Sequence, residues 1–323
     1  MRIATFNLEN LDDGPDINPS LADRIRIMRP QLERINADIL CLQEIHAQDG
    51  QNGRTLAALD ALLEGTQYAN GYQLRTTETT GGDLYRFRNL VTLSRLEITD
   101  TQIRRDSDAG RPTYQFVTAN PPDTNADPIG WERPMLHTQI DLGGNRTLHV
   151  INLHMKSKIA TDVAGQKIDN FTWRSVSAWA EGSFVSSMKR VGQALQVRML
   201  IDDIIDADGD DALIVVLGDF NATCDEVPVR AIIGPVEETG NPAHASRIMI
   251  PCENNIPDSA RFSLYHLGKG EMIDHIIASR AFFRSFQHAE VHNEALPDES
   301  GAFRTDVKFP ESDHAAVIAQ FEI

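Results

Sequence analysis

Eight apolar runs, each four to eight residues long, are spread along the chain, and most of them meet a polar residue capable of chemistry at one end. They are Arg2 to Phe6, Asp38 to Gln43, Leu90 to Leu93, Met135 to Leu142, Leu148 to Leu153, Ala212 to Leu217, Met272 to Ser279 and Ala315 to Phe321. Runs of this length with polar borders predict β-strands. Two helices stand among them. Leu21, Ile25, Met28, Leu32 and Ile35 recur at steps of three and four, with Pro30 predicting a kink or restart. The second covers about Phe184 to Ile205, with Phe184, Met188, Val191, Leu195 and Met199 on one stripe. Asp106 to Arg133 and Ile159 to Gly182 read as long loops, which in a compact domain are usually functional or mobile. Neither resembles a linker, so residues 1–323 are expected to form one domain.

Composition narrows the function classes. With 323 residues, 41% of them hydrophobic, the chain can bury a sizeable core. Its 47 acidic and 30 basic residues leave a formal charge of -17, which repels long polyanions and excludes a polybasic nucleic-acid coat. A phosphate-bearing substrate is still compatible, because distant charges are screened and a bound cation dominates its own cleft. Cys41, Cys224 and Cys252 show no C-x-x-C spacing, which argues for buried thiols and against a disulfide framework or structural zinc. No apolar run approaches the roughly 18 residues of a membrane helix. The expectation is a cytoplasmic protein with no membrane contact and no obligate protein partner.

The polar ends of the strands repeat one small set of chemistries. Asn7 and Glu9 follow the first strand, Gln43 and Glu44 the second, His154, Lys156 and Ser157 the fifth, and Asp219 and Asn221 the sixth. Asp274 and His275 interrupt the seventh run; Asp313 and His314 precede the last. One carboxylate at a strand end is ordinarily a turn residue or helix cap. The repetition carries the signal. Other motifs do not hold up: Asp206 to Asp211 imitates a calcium loop but has Asp211 where glycine is needed and Leu217 where glutamate is needed. His288 and His292 lack the glutamate of a zinc-protease motif, and His137, His149 and His244 read as packing or surface residues.

The ordered set Ile3-Ala-Thr-Phe-Asn-Leu-Glu9, Asp38-Ile-Leu-Cys-Leu-Gln-Glu44, Asn152-Leu-His-Met-Lys-Ser157, Leu217-Gly-Asp-Phe-Asn221, Ile273-Asp-His275 and Ser312-Asp-His314 resembles the endonuclease/exonuclease/phosphatase superfamily, the DNase I-like fold. The resemblance implies an α/β (α+β) four-layer sandwich: two mostly antiparallel sheets packed face to face, helices outside. It implies one or two Mg²⁺ or Mn²⁺ ions, with Glu44 as principal ligand, Asn7 assisting, and Glu9 and Asp313 completing the shell. Oxygen ligands suit such hard cations. It supplies Asp274 as the partner that fixes the His314 tautomer, since Asp313 and His314 should point apart on an extended strand. His314 is then a base or phosphate-orienting group, Asp219 its rival for activating water, and Asn221 a holder of phosphoryl oxygen or of Asp219. His154 resembles the histidine near the leaving group, a candidate acid. Lys156 and Ser157 resemble a His-x-Lys-Ser variant of bacterial nuclease-like members, with substrate phosphate as the lysine's target. Arg133 stays outside this set.

The implied activity is divalent-metal-dependent phosphodiester hydrolysis, with a nuclease acting on DNA as the leading reading and nucleic acid held only locally. The alternatives are a small-molecule phosphatase or phosphodiesterase and, remotely, an inactive binding module.

Overall fold

The computed structural model describes all residues except 16, 106–109 and 305–307, and no side chain of 302–304 is described. Residues 106–109 begin one expected loop and therefore lie outside the described residues. Two six-stranded sheets dominate. In chain order their strands are β1 Arg2–Leu11, β2 Ile39–Ile45, β3 Gln73–Thr76, β4 Asn89–Ser94, β5 Ile98–Arg104, β6 Met135–Asp141, β7 Thr147–His154, β8 Leu213–Asp219, β9 Met249–Pro251, β10 Asp274–Ser279, β11 Phe286–His292 and β12 Ala316–Phe321. The first sheet runs β11-β12-β1-β2-β4-β3 and the second β9-β10-β8-β7-β6-β5. Each holds a single parallel pair, β1 with β2 and β7 with β8; the other pairings are antiparallel.

Alternation along each strand sorts residues between two faces. In β1, Ile3 packs between the sheets while Ala4, Phe6 and Leu8 face the outer helices. In β8, Val215 and Leu217 face inward while Ile214 and Val216 face outward. Helices α1 Leu21–Ile35 and α2 Ala57–Leu63 cover the first sheet, and α3 Val176–Asp208 and α4 Val227–Ile233 cover the second. This is the four-layer sandwich that the resemblance implies.

Helix α1 runs unbroken through Pro30, so the expected restart does not occur. Ser20 caps its N-terminus by accepting from the Asp23 backbone N–H at 3.2 Å. Helix α3 departs further. It begins eight residues before the expected start, inside the expected loop, with Ser175 as its cap. Its expected core stripe is also wrong: Phe184, Val191, Leu195 and Met199 are 37–52% exposed. The sheet is met instead by Ala194, Val197, Leu200, Ile201, Ile204 and Ile205. Small residues allow close docking there. A Cβ at Gly192 would stand 2.3 Å from the Trp131 ring, which anchors the 110–133 segment against the helix. Glu181 ties down the same segment, accepting from the Tyr114 hydroxyl at 2.9 Å and from the Val117 and Thr118 amides at 2.6 and 2.9 Å.

The rejected motifs have ordinary places. The Asp206 to Asp211 run is the end of α3 and its turn into β8. His288 and His292 lie in strand β11, the first exposed and the second partly buried. His137 and His149 are buried with ring nitrogens 3.0 Å apart. Among the described residues, no helix is long and apolar enough to cross a membrane.

Candidate active site

At one end of the sandwich the inward-facing positions change from apolar to polar, strand by strand. Ile3, Thr5 and Asn7 share the inner face of β1; Val150, Asn152 and His154 that of β7; Val215, Leu217 and Asp219 that of β8. The buried Thr5 hydroxyl bonds Gln43 Oε1 at 3.1 Å, and Gln43 Nε2 donates to Asn152 Oδ1 at 2.9 Å across the sheets. This buried amide layer divides the dry core from the site. Register completes a row: His154 pairs with Asp219, and Asp219 with Asp274, on neighbouring strands about 4.8 Å apart.

Asp219 Oδ2 is the focus of the row. Asn7 Nδ2 donates to it at 3.1 Å and Asn221 Nδ2 at 2.9 Å; His154 Nε2 lies 3.1 Å away and His314 Nε2 3.9 Å. The Asn221 backbone N–H donates to Asp219 Oδ1 at 2.8 Å. Burial alone would raise this carboxyl, but His154, His314 and these hydrogen bonds outweigh it and hold it well below the usual carboxylate range. His314 Nδ1 lies 2.7 Å from Asp274 Oδ2. Burial would depress that imidazole, yet Asp274 and Asp219 lift it well above the usual histidine range. His154 goes the other way: burial and then Arg133 lower it, against the pull of Asp219. A neutral His154 suits an N–H donor better than the proton donor expected from the sequence.

The row opens on a cavity of about 530 Å³. Asn7, Glu9, Glu44, His154, Ser157, Asp219, Asn221, Asp313 and His314 line it, while Asp274 stands behind His314. Glu9 and Glu44 come from the ends of β1 and β2. The Asn10 amide donates to Glu44 Oε2 at 3.0 Å, and the Asp313 amide to Glu9 Oε2 at 3.1 Å. Burial pushes Glu9 up and pushes Asp313 well above the usual range, and each of the two is raised further by Glu44. Burial also raises Glu44, but His154, Arg133 and Arg88 more than offset it. Asp313 Oδ1 is buried without a hydrogen-bond partner among the described residues. Repelling carboxylates with an orphaned oxygen fit a hard divalent cation, which takes oxygen ligands and keeps several waters. The titratable trio with ligand atoms within 4.8 Å of one another at this site is a different one, Asp219, Asp274 and His314.

Two sequence expectations fail here. Asp313 and His314 do not point apart: β12 begins only at Ala316, and from the irregular segment before it both side chains reach the cavity, Asp313 Oδ1 3.9 Å from His314 Nε2. Lys156 does not line the cavity. Its ammonium turns into its own loop, donating to Ser157 Oγ at 3.1 Å and the Ile159 carbonyl at 3.0 Å. Lys158 lines the cavity instead, paired with Glu226 at 3.0 Å and Glu271 at 3.5 Å.

Sequence reasoning also missed Asn10, Arg88, Arg133 and the Glu271 and Glu299 rim. Arg88, Arg133 and Glu271 stand one or two residues before apolar runs and Asn10 lies at the end of β1, so a strand-end signal existed for each, whereas Glu299 has none. Positive φ is a second marker, visible only in the fold. Glu9, Asn10, Glu44, Arg88 and Asn221 have φ of 44°, 51°, 61°, 58° and 49°, and all line the cavity. Non-glycine residues held there store strain, which clusters at functional sites.

Residues 4–314 match the profile of the Endonuclease/Exonuclease/phosphatase family. No curated protein matches by sequence. Solved structures with the same fold include an AP endonuclease from Archaeoglobus fulgidus, 16% identical with a TM-score of 0.56, covering 100% of both chains. The 3' phosphatase NExo from Neisseria bound to a product DNA hairpin is 18% identical with a TM-score of 0.54, again covering 100% of both. A mannosyl-6-phosphatase from Bacteroides thetaiotaomicron is 15% identical with a TM-score of 0.59 and the same coverage. Identities this low establish a shared fold only.

Proposed function

Since this chain belongs to the endonuclease/exonuclease/phosphatase family and is therefore a phosphoester hydrolase, we propose that it is a divalent-cation-dependent phosphodiesterase acting as a nuclease on locally held DNA, in one catalytic domain. The observation that carries this is the convergence of Asn7, His154, Asn221 and His314 on Asp219, opposite Glu9, Glu44 and Asp313 across one cavity.

Hydrolysis at phosphorus needs an oriented water, positive charge on the non-bridging oxygens and relief of the leaving alkoxide. Asp219, kept ionised, accepts a hydrogen bond from the attacking water and aligns it. His314, held by Asp274, presents Nε2 to a phosphoryl oxygen with Asn7 and Asn221 beside it. His154 contributes a neutral N–H and holds the orientation of Asp219. Glu44, Glu9 and Asp313, with Asn7 assisting, would hold Mg²⁺ or Mn²⁺, which supplies Lewis-acid charge neutralisation when bound. Arg88, Arg133 and Lys158 add positive charge to a wall that also carries Glu9, Glu44, Asp219, Glu271, Glu299 and Asp313.

The acidic rim, with Glu271 and Glu299, supports a second reading, a small-molecule phosphoesterase that has no long polyanion to repel. Purified protein with Mg²⁺ assayed against plasmid, linear and single-stranded DNA, RNA, bis-p-nitrophenyl phosphate and phosphorylated sugars separates the two. The nuclease reading expects DNA and the minimal diester to be cut. Turnover of sugar phosphates alone would replace it with the second reading. Lys158→Ala should raise KM for DNA by more than that for the minimal diester, because a chain with many phosphates meets an ammonium at the rim that a minimal substrate does not reach. Equal shifts for both substrates would give Lys158 a local structural role.

A further inference from the structure

Behind the His154–Asp219–Asp274 row, on the opposite face of the second sheet, three further ligand-bearing side chains meet. His275 follows Asp274 in β10 and therefore points to the other face. Cys224 stands in the turn that leads from Asp219 and Asn221 into α4. Glu253 comes from the short turn Cys252–Asn255 after β9. Glu253 and His275 are fully buried and Cys224 is partly exposed.

The tautomer of His275 is set by its surroundings. Nε2 lies 2.8 Å from the Ala222 carbonyl, which can only accept, so Nε2 carries a hydrogen. Nδ1 then faces Glu253 Oε1 at 2.5 Å and Cys224 Sγ at 3.6 Å, with Sγ to Oε1 at 3.8 Å. Either a proton or a metal ion can satisfy Nδ1 in this position. An imidazole oriented through its other nitrogen by a backbone carbonyl is the usual outer arrangement of a metal-bound histidine. Tetrahedral zinc, with bonds of about 2.3 Å to sulfur and 2.0–2.2 Å to nitrogen and oxygen, requires ligand–ligand edges of roughly 3.3–3.6 Å. Both sulfur edges are within about 0.3 Å of that range, while the Nδ1–Oε1 edge would open by about 0.8 Å once the shared proton leaves. Charge also closes: one thiolate, one carboxylate and a neutral imidazole balance a divalent ion in a buried place.

We propose that Cys224, Glu253 and His275 form a zinc(II) site, a use of Cys224 that the cysteine spacing argues against, with solvent as fourth ligand on the exposed side of Cys224. Binding releases two protons, one from the thiol and one from the His275–Glu253 pair. The thiolate makes this site softer than the all-oxygen carboxylate set in the cleft. Three elements separated by 22 to 51 positions would be joined there, namely the turn after Asp219, β10 and the 252–255 turn. Asn221 and Asp274 are carried on two of them and Asp219 immediately precedes the first, so zinc here positions the row without touching substrate. The site does not rest on the nuclease reading.

Co²⁺ is the probe. The full chain, stripped with chelator and dialysed, should take up one equivalent with a sulfur-to-cobalt charge-transfer absorption, and Zn²⁺ should displace it. Cys224→Ser should lose the band and bind that equivalent at least about 100-fold more weakly. Co²⁺ held only by the cleft carboxylates gives no thiolate band, so the failure of either site is read separately. Cobalt uptake without the band, or a band that survives in Cys224→Ser, would overturn the assignment. Wild-type protein supplies a second measurement should the variant fail to fold. Zn²⁺ should slow alkylation of the Cys224 thiol at least about tenfold by holding it as a ligand, and an unchanged rate counts equally against the site.

Discussion

Stripping divalent cations should bring phosphoester hydrolysis to background, and Mg²⁺ or Mn²⁺ should restore it. Burial and repulsion among the carboxylates raise Glu9 and Asp313, and Asp313 keeps a buried oxygen without a partner among the described residues. A cation among them relieves both penalties at once. The same logic predicts a readout independent of turnover: at 100 times its Kd, the ion should add about 2.7 kcal/mol to the free energy of unfolding, seen as a rise in Tm. Glu44→Gln keeps the side-chain shape and removes one negative charge. It should raise the Mg²⁺ concentration for half-maximal activity by at least roughly 10- to 100-fold, the range for loss of a mere outer-shell partner. Full turnover after exhaustive chelation would eliminate the cation from the chemistry.

Asp219→Asn and His314→Ala should each lower kcat by roughly 10²- to 10⁴-fold while leaving KM much less affected. Asn at position 219 cannot take the place of an ionised carboxylate in aligning water, and its amide would face the donors of Asn7 and Asn221. Without His314 the row has no imidazole to meet the phosphoryl oxygen, and Asp274 is left as a buried carboxylate without its partner. Because both residues act on one transition state, the double variant should be little worse than the poorer single one. Losses that multiply would show two independent functions, and wild-type rates in either single variant would remove that residue from the machinery. Far-UV circular dichroism must match in all variants for the comparison to hold.

The candidate site was legible to the extent that it follows strand polarity. Asn7, His154 and Asp219 are the next inward positions after the apolar residues of β1, β7 and β8, and alternation alone carries them to one face. Lys156 and Lys158 are also on one side of an extended reading, yet only Lys158 reaches the cavity, because the loop carbonyl of Ile159 and the Ser157 hydroxyl capture the nearer ammonium. Which of two lysines is consumed by its own loop is a matter of backbone path, and a residue pattern does not encode that directly. The same holds for Asp313 and His314, where the start of β12 two residues later decides that both face inward.

Helix α3 marks the limit most clearly. Its apolar residues occupy more than one face, and a periodicity of 3.6 identifies stripes without ranking them. The sheet and Trp131 took the side where Gly192 and Ala194 permit close approach, leaving Phe184 and Leu195 half exposed. What the sequence determined by itself was therefore local, namely short strands with polar ends and two helices, while the two-sheet sandwich came from the family resemblance of the ordered motifs. Tertiary structure alone decided which helix face is buried, which loop lysine reaches the cavity, and that Cys224, Glu253 and His275 meet behind the row. The reason is physical: side-chain alternation and helical period act over a few residues, whereas these choices depend on packing between segments tens to hundreds of positions apart.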